Sequence, residues 1–170
     1  MSPRLIPVLS LALLLGSCVG YRRGGARPSH LQAVTTLSVA VVRNDTQMPR
    51  AAAHATNSII EALTMDGTYR LSTVDRADAR LETVLHTIKY RQARATRTDT
   101  LRSEELEMVV TLVWVLRDAD NPTTALDEGQ SSGASRFFVD PNLQTARQTA
   151  LADALKRASE AVVSRLADGF

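Results

Sequence analysis

Cys18 is the only cysteine in this chain of 170 residues, and its thiol is the candidate nucleophile of the sequence. An intrachain disulfide is impossible because it needs a second cysteine. The residues before Cys18 are Arg4, a largely apolar run over 5–15, and the small pair Gly16 and Ser17. A short positive region followed by apolar and then small residues is the outline of a secretory signal peptide. The apolar run is too short for a transmembrane helix, which needs about 20 residues.

The position of Cys18 directly after Ser17 resembles that of the lipid-acceptor cysteine of bacterial lipoproteins. This resemblance implies cleavage before Cys18 and acylation of its thiol. Each buried methylene contributes about 0.8 kcal/mol to membrane binding, so more than one acyl chain would anchor the protein stably. Val19 is not acidic, as in lipoproteins that are forwarded to the outer membrane. The alternative is an ordinary cleaved signal peptide with a cysteine nearby by chance.

A second chemical feature is the densest basic stretch of the chain, which has five cations and one acid, Asp99, between residues 89 and 102. Arginine binds phosphate or carboxylate through paired hydrogen bonds. We expect the stretch at a hairpin that joins two strands, where it would bind phosphate or carboxylate groups of a ligand or partner. The alternative is a solvated loop that balances acidic residues elsewhere. The five cations are Lys89, Arg91, Arg94, Arg97 and Arg102.

Residues for catalysis are hard to find in this sequence. It contains no glycine-rich phosphate loop, no His-Glu-x-x-His and no Gly-x-Ser-x-Gly. His30, His54 and His86 are scattered, so we predict no metal site, no cofactor and no enzyme activity. Without Arg4 the chain has 19 basic and 18 acidic residues, so it lacks the overall positive charge of a nucleic-acid-binding protein.

Cleavage before Cys18 would leave 153 residues, the size of one domain. We predict a signal peptide over 1–17, a lipidated flexible tether over 18–33 and a single α+β domain over 34–170. The β-branched pattern predicts a strand over 35–43. A helix should follow Pro49 and end near Met65, with Gly67 as its left-handed cap.

The second half of the domain should contain most of the sheet. A short β-prone run covers 68–74, a strand runs from 79 to about 95, and 107–117 is apolar on both faces, as in a central strand. Residues 118–134 are rich in Asp, Asn, Pro, Gly and Ser, which predicts a loop, and 135–139 a strand. Asp140 and Pro141 predict the start of a long helix with an apolar stripe. We therefore expect two helices packed on one face of a roughly four-stranded, mostly antiparallel sheet.

From Cys18 to about Ala167, the order and spacing of four short features resemble the LptE family, the lipoprotein partners of the outer-membrane lipopolysaccharide translocon. They are Cys18-Val-Gly-Tyr21; the segment 37–44 with Thr46 and Pro49; Gly67-Thr-Tyr-Arg70 with Ala77-Asp-Ala-Arg-Leu81; and the closing helix. Residues 50–54 depart from the glutamate-containing stretch of that family, which indicates a distant branch.

The resemblance implies an outer-membrane, lipid-anchored protein whose domain sits as a plug inside the translocon's β-barrel and contacts lipopolysaccharide. The sequence leaves another class open. The same kind of domain would serve an accessory lipoprotein that activates a cell-wall enzyme or stabilises another envelope secretion or transport complex.

Overall fold

The computed structural model describes residues 27–93, 105–139 and 142–169. Its two α-helices are α1 (Ala51–Asp66) and α2 (Leu143–Asp168). The strands are β1 (Thr36–Val39), β2 (Arg43–Asn44), β3 (Arg70–Leu71), β4 (Ala79–Gln92), β5 (Glu105–Asp118) and β6 (Ala125–Phe138).

All six strands belong to one sheet with the order β3-β1-β4-β5-β6, in which β2 also lies beside β4. The three long strands β4, β5 and β6 are antiparallel, whereas the short β1, β2 and β3 make parallel pairs. The predicted α+β class is confirmed, with six strands in place of about four. The predicted strand over 35–43 is broken into two because the Val42 amide leaves the sheet and donates to Thr56 Oγ1 of α1, at 3.0 Å.

The predicted loop over 118–134 is wrong, because β6 begins at Ala125 and pairs with β5 along its length.

The glycines of β6 lie where other groups come very close. A Cβ on Gly133 would collide with the Ala154 carbonyl oxygen and the Ala158 amide nitrogen of α2. A Cβ on Gly129 would lie 2.8 Å from the ring of Trp114. Gly133 therefore lies where α2 covers β6, and Gly129 leaves room for the ring of Trp114.

The core lies between the two helices and one face of the sheet. The apolar stripe of α2 is buried as predicted, and Leu155 and Leu166 have no exposed surface. Its alanines, including Ala154 and Ala158, let the helix lie close to β6. Trp114 belongs to this core, and its Nε1 donates to Ser131 Oγ at 3.2 Å.

The two helices end at the same end of the domain, where Gly67 and Gly169 provide left-handed caps. There the Tyr69 hydroxyl donates to the Leu166 carbonyl at 2.7 Å, and burial raises the pKa of Tyr69 to about 12. Arg27 lies over the Tyr69 ring at 5.6 Å, and Leu31 is fully buried. The chain therefore enters the domain beside the C-terminal ends of both helices.

Asp78 holds the start of β1 in place. One of its carboxylate oxygens accepts hydrogen bonds from Thr35 Oγ1 at 2.7 Å and from the Thr35 and Thr36 amides at 2.8 Å. These hydrogen bonds, of which the one from the Thr35 hydroxyl has the largest effect, hold the pKa of Asp78 well below its usual range.

In the part of the chain that the structure describes, neither helix has the length and apolar character needed to cross a bilayer.

Candidate functional site

A β-bulge in β4 decides where the predicted basic residues lie. His86 has no partner in β5, since Leu85 pairs with Leu112 and Thr87 with Thr111. Beyond the bulge the alternation of faces shifts by one residue, so Ile88 packs against the core and Tyr90 contacts Phe137, with ring centroids 6.2 Å apart. Lys89 and Arg91 then lie on the sheet face without helices, both exposed.

This helix-free face has a β-branched centre and charged ends. The centre contains Val84, Val109, Thr111, Val113 and Val115, all partly buried. At one end Arg117 pairs with Glu82 at 2.9 Å, and near the other Arg136 pairs with Glu107 at 3.5 Å.

Lys89 and Arg91 lie at the second of these ends, opposite Val109 and Glu107 of β5. Neither forms an ion pair with any residue that the structure describes. The other predicted cations, Arg94, Arg97 and Arg102, and the predicted lipid-acceptor Cys18 lie outside the described residues. Whether the five cations converge on one ligand therefore stays a prediction.

A groove opens at the end of the domain where both helices begin, and we call it the N-terminal groove. It consists of two cavities of about 550 and 730 Å³ that share Gln47, Met48 and Gln144 in their walls. Its lining combines apolar side chains with cations. The apolar ones are Met48, Ile88, Tyr90 and Leu151, and the cations are Arg50, Lys89 and Arg147.

The loop between β2 and α1 forms one wall of the N-terminal groove. Asn44 holds it in shape, because its side chain donates to the Met48 carbonyl at 2.8 Å and accepts from Thr46 Oγ1 at 2.7 Å. The N-cap of α1 is Arg50, whose side chain makes no capping hydrogen bond.

The electrostatic character of the N-terminal groove is positive. The first turns of α1 and α2 contain no acidic residue, so no side chain within these turns compensates the positive ends of the two helix dipoles. The acid in the lining is Asp45, which pairs with Arg43 at 3.3 Å. Arg147 lies over the Tyr90 ring at 5.6 Å, and its buried Nε has no hydrogen-bond partner among the described residues.

The three histidines lie on different elements of the fold. His30 contacts Asp127 at 3.4 Å, His54 lines the N-terminal groove, and His86 occupies the bulge. Within residues 27–93, 105–139 and 142–169, no three metal-ligating side chains come together.

The N-terminal groove suits binding of an anionic group that has an apolar neighbour, because both cations and apolar side chains line it.

Sequence reasoning found Lys89 and Arg91 from the local density of charge, but it missed Arg50 and Arg147. These two arginines are isolated in the sequence and lie on different helices. They share a groove only because α1 and α2 run parallel and begin at the same end. The single available signal was the absence of acids from the turns that follow Pro49 and Pro141.

Comparisons with solved structures place this architecture among bacterial proteins. A Xanthomonas campestris protein matches with a TM-score of 0.55 and 14% identity, covering 84% of this chain and 89% of its own. A Helicobacter pylori homologue of a neuraminyllactose-binding hemagglutinin has a TM-score of 0.53 and 7% identity, covering 89% and 92%. A minor lipoprotein of Acinetobacter baumannii has a TM-score of 0.51 and 10% identity, covering 78% and 92%.

The fold is shared with a bacterial lipoprotein. At such identities the likeness concerns the fold alone. No protein-family model matches the chain. No curated protein matches it in sequence.

Proposed function

We propose that this chain is a lipid-anchored lipoprotein of the outer membrane that partners the β-barrel lipopolysaccharide translocon. Its domain sits in the barrel as a plug and assists the insertion of lipopolysaccharide at the cell surface. It acts by binding and has no catalytic activity.

The observation that carries the proposal is the arrangement of two helices on one face of the sheet, downstream of a lipoprotein-type Cys18. That arrangement is the one implied by the sequence resemblance to the LptE family. The helix-free face supports it too. Its partly exposed valine centre offers an apolar surface to a partner, and its charged ends restrict the orientation of that partner.

Co-purification tests the proposal against its alternative. The full-length protein, extracted with detergent from its native membranes, should bring down a large β-barrel protein of the outer membrane. An accessory lipoprotein of another envelope complex would instead bring down a soluble or inner-membrane enzyme, or the parts of a different transport complex. Recovery of such a partner without the barrel would contradict the proposal.

Replacing Cys18 tests the anchor. Cys18→Ala should leave the chain unprocessed by the lipoprotein route, because alanine offers no thiol for acylation. The measurement is incorporation of a radiolabelled fatty acid in growing cells, with Ser17→Ala as the control that retains the thiol. Labelling of the Cys18→Ala protein at the wild-type level would refute acylation at this residue.

Charge reversal tests the predicted basic hairpin. Arg91→Glu, Arg94→Glu and Arg97→Glu together should abolish the salt-sensitive binding of the purified protein to lipopolysaccharide, because repulsion would replace attraction for its phosphates. The circular dichroism spectrum should not change. The control with equal charge change is Arg70→Glu, Arg76→Glu and Lys156→Glu, all at exposed positions.

Lipopolysaccharide binding by the first triple variant at the wild-type level would show that the basic stretch is a solvated loop. Weakened binding by both triple variants would show that net charge matters and position does not.

A further inference from the structure

Among the residues that the structure describes, nothing pairs with one edge of β4 beside the N-terminal groove. On this side β1 pairs with Ala79–Leu81 and β2 ends opposite Leu85. The Asp45 amide donates to the Leu85 carbonyl at 3.0 Å. After Leu85, no described residue pairs with residues 86–92 on this side of β4. The backbone groups that point away from β5 there are available to a further strand.

The space beside this edge fits an extended peptide segment. The cavity of about 550 Å³ lies between residues 86–90 of β4 and the loop formed by Asp45, Thr46, Gln47 and Met48. Consecutive β4 residues line it, as expected where a cavity follows the edge of a strand and not one of its faces. Ile88 and Tyr90 supply apolar contacts for alternate side chains of a guest.

The charge beside the edge selects an acidic guest. Lys89 lies on the edge strand itself, and Arg50 and Arg147 border the groove at the starts of the two helices. Carboxylates of an extended segment would meet these cations without displacing an existing ion pair, because none of the three forms one among the described residues. Attraction of this kind increases association rate and specificity.

The position of the predicted anchor favours a protein guest over a lipid of the anchoring leaflet. Arg27 binds the Thr68 carbonyl at 3.3 Å, at the helix C-terminal end. From Ala79 to Lys89 the strand β4 extends about 33 Å, and the nine residues from Cys18 to Arg27 span at most about 32 Å. The groove lies at the opposite end of the domain from Arg27.

We propose that the free edge of β4 over residues 86–92 receives an extended acidic segment of a partner protein, which joins the sheet as an additional strand. The inference deepens the proposed function and rests on it only for the identity of the partner, the β-barrel protein. Main-chain hydrogen bonds would hold the segment, and Lys89, Arg50 and Arg147 would select its acidic residues.

Three labelled hexapeptides serve as probes for the full-length protein in detergent: alternating Asp and Val, alternating Asp and Pro, and alternating Lys and Val. The Asp-Pro peptide has the same charge as Asp-Val but lacks the amide hydrogen at every second residue and has φ fixed there, which disfavours pairing as a strand. Fluorescence anisotropy measures their dissociation constants. Hydrogen exchange measures protection of the amides over residues 86–92.

We expect the Asp-Val peptide to bind more tightly than either other peptide and to slow exchange over residues 86–92. Arg50→Glu with Lys89→Glu should weaken its binding about tenfold or more. The matched control, Arg70→Glu with Lys156→Glu, should bind as the wild type does, because both positions are exposed and lie away from the groove.

Four results would overturn the inference. Equal binding of the Asp-Pro peptide, or no protection of residues 86–92, would mean that no strand is added. Equal binding by the Arg50→Glu, Lys89→Glu protein would mean that the groove does not select the acid. Binding of vesicles with one quarter anionic phospholipid, lost in this variant while no peptide binds, would make the groove a lipid site.

Co-purification separates this inference from the proposed function. If the barrel co-purifies equally with the wild type and the Arg50→Glu, Lys89→Glu protein, and no peptide binds, the inference fails and the function stands. If the Asp-Val peptide binds as expected but the wild type recovers no barrel, the edge site stands and the proposed function fails.

Discussion

Leu155→Asp is expected to prevent folding of the domain. Leu155 lies in the middle of α2, has no exposed surface and belongs to the core between the helices and the sheet. An aspartate there would be buried without a partner, which places the change among the most destabilising single substitutions, at about 4 kcal/mol or more. Thermal unfolding followed by circular dichroism measures the effect.

Lys156→Asp is the matched control for this substitution, since Lys156 is the next residue of the same helix and is exposed. Its free energy of unfolding should change by no more than about 0.5 kcal/mol. A wild-type melting temperature for Leu155→Asp would show that the apolar stripe of α2 faces outward, toward a partner.

Gly133→Val is expected to destabilise the domain by more than the usual cost of overpacking, which is about 1–3 kcal/mol. Its Cβ would meet the Ala154 carbonyl oxygen and the Ala158 amide nitrogen. These are backbone atoms of a helix, so they cannot rotate away as a side chain could, and α2 would have to move off β6. Urea unfolding monitored by the fluorescence of Trp114 measures the loss.

The neighbouring Ser132→Val provides the control. Ser132 is exposed in the same strand, on the opposite face from Gly133, and valine favours strands. Its stability should equal or exceed that of the wild type. If Gly133→Val were equally stable, α2 could not lie against β6 as the structure has it.

These residues also explain which parts of the fold the sequence could predict. The helices and the strand β5 have apolar patterns that come from burial of one stripe or of both faces, and those patterns are visible without coordinates. Close packing of α2 on β6 requires the opposite, the absence of a side chain at Gly133, and the ring of Trp114 requires the same at Gly129. A strand that carries glycine and serine for this reason has the composition of a loop, so β6 was predicted to start too late.

The candidate site was predictable only where its chemistry is local. Lys89 and Arg91 stand out in a dense basic stretch, but the bulge at His86 has no sequence pattern and changes the face on which both residues lie. Arg50 and Arg147 each look like ordinary helix residues. Their meeting depends on two parallel helices and therefore on the whole topology of the sheet.

Depletion of the protein in its native bacterium tests the proposed function most directly. The measurement follows pulse-labelled lipopolysaccharide from synthesis to the cell surface, with surface arrival detected by an enzyme that modifies only exposed molecules. We predict that depletion stops arrival at the surface, that the wild-type gene restores it, and that Cys18→Ala does not. Unchanged arrival of lipopolysaccharide at the surface of depleted cells, together with a defect in the cell wall or in another transport system, would contradict the proposal.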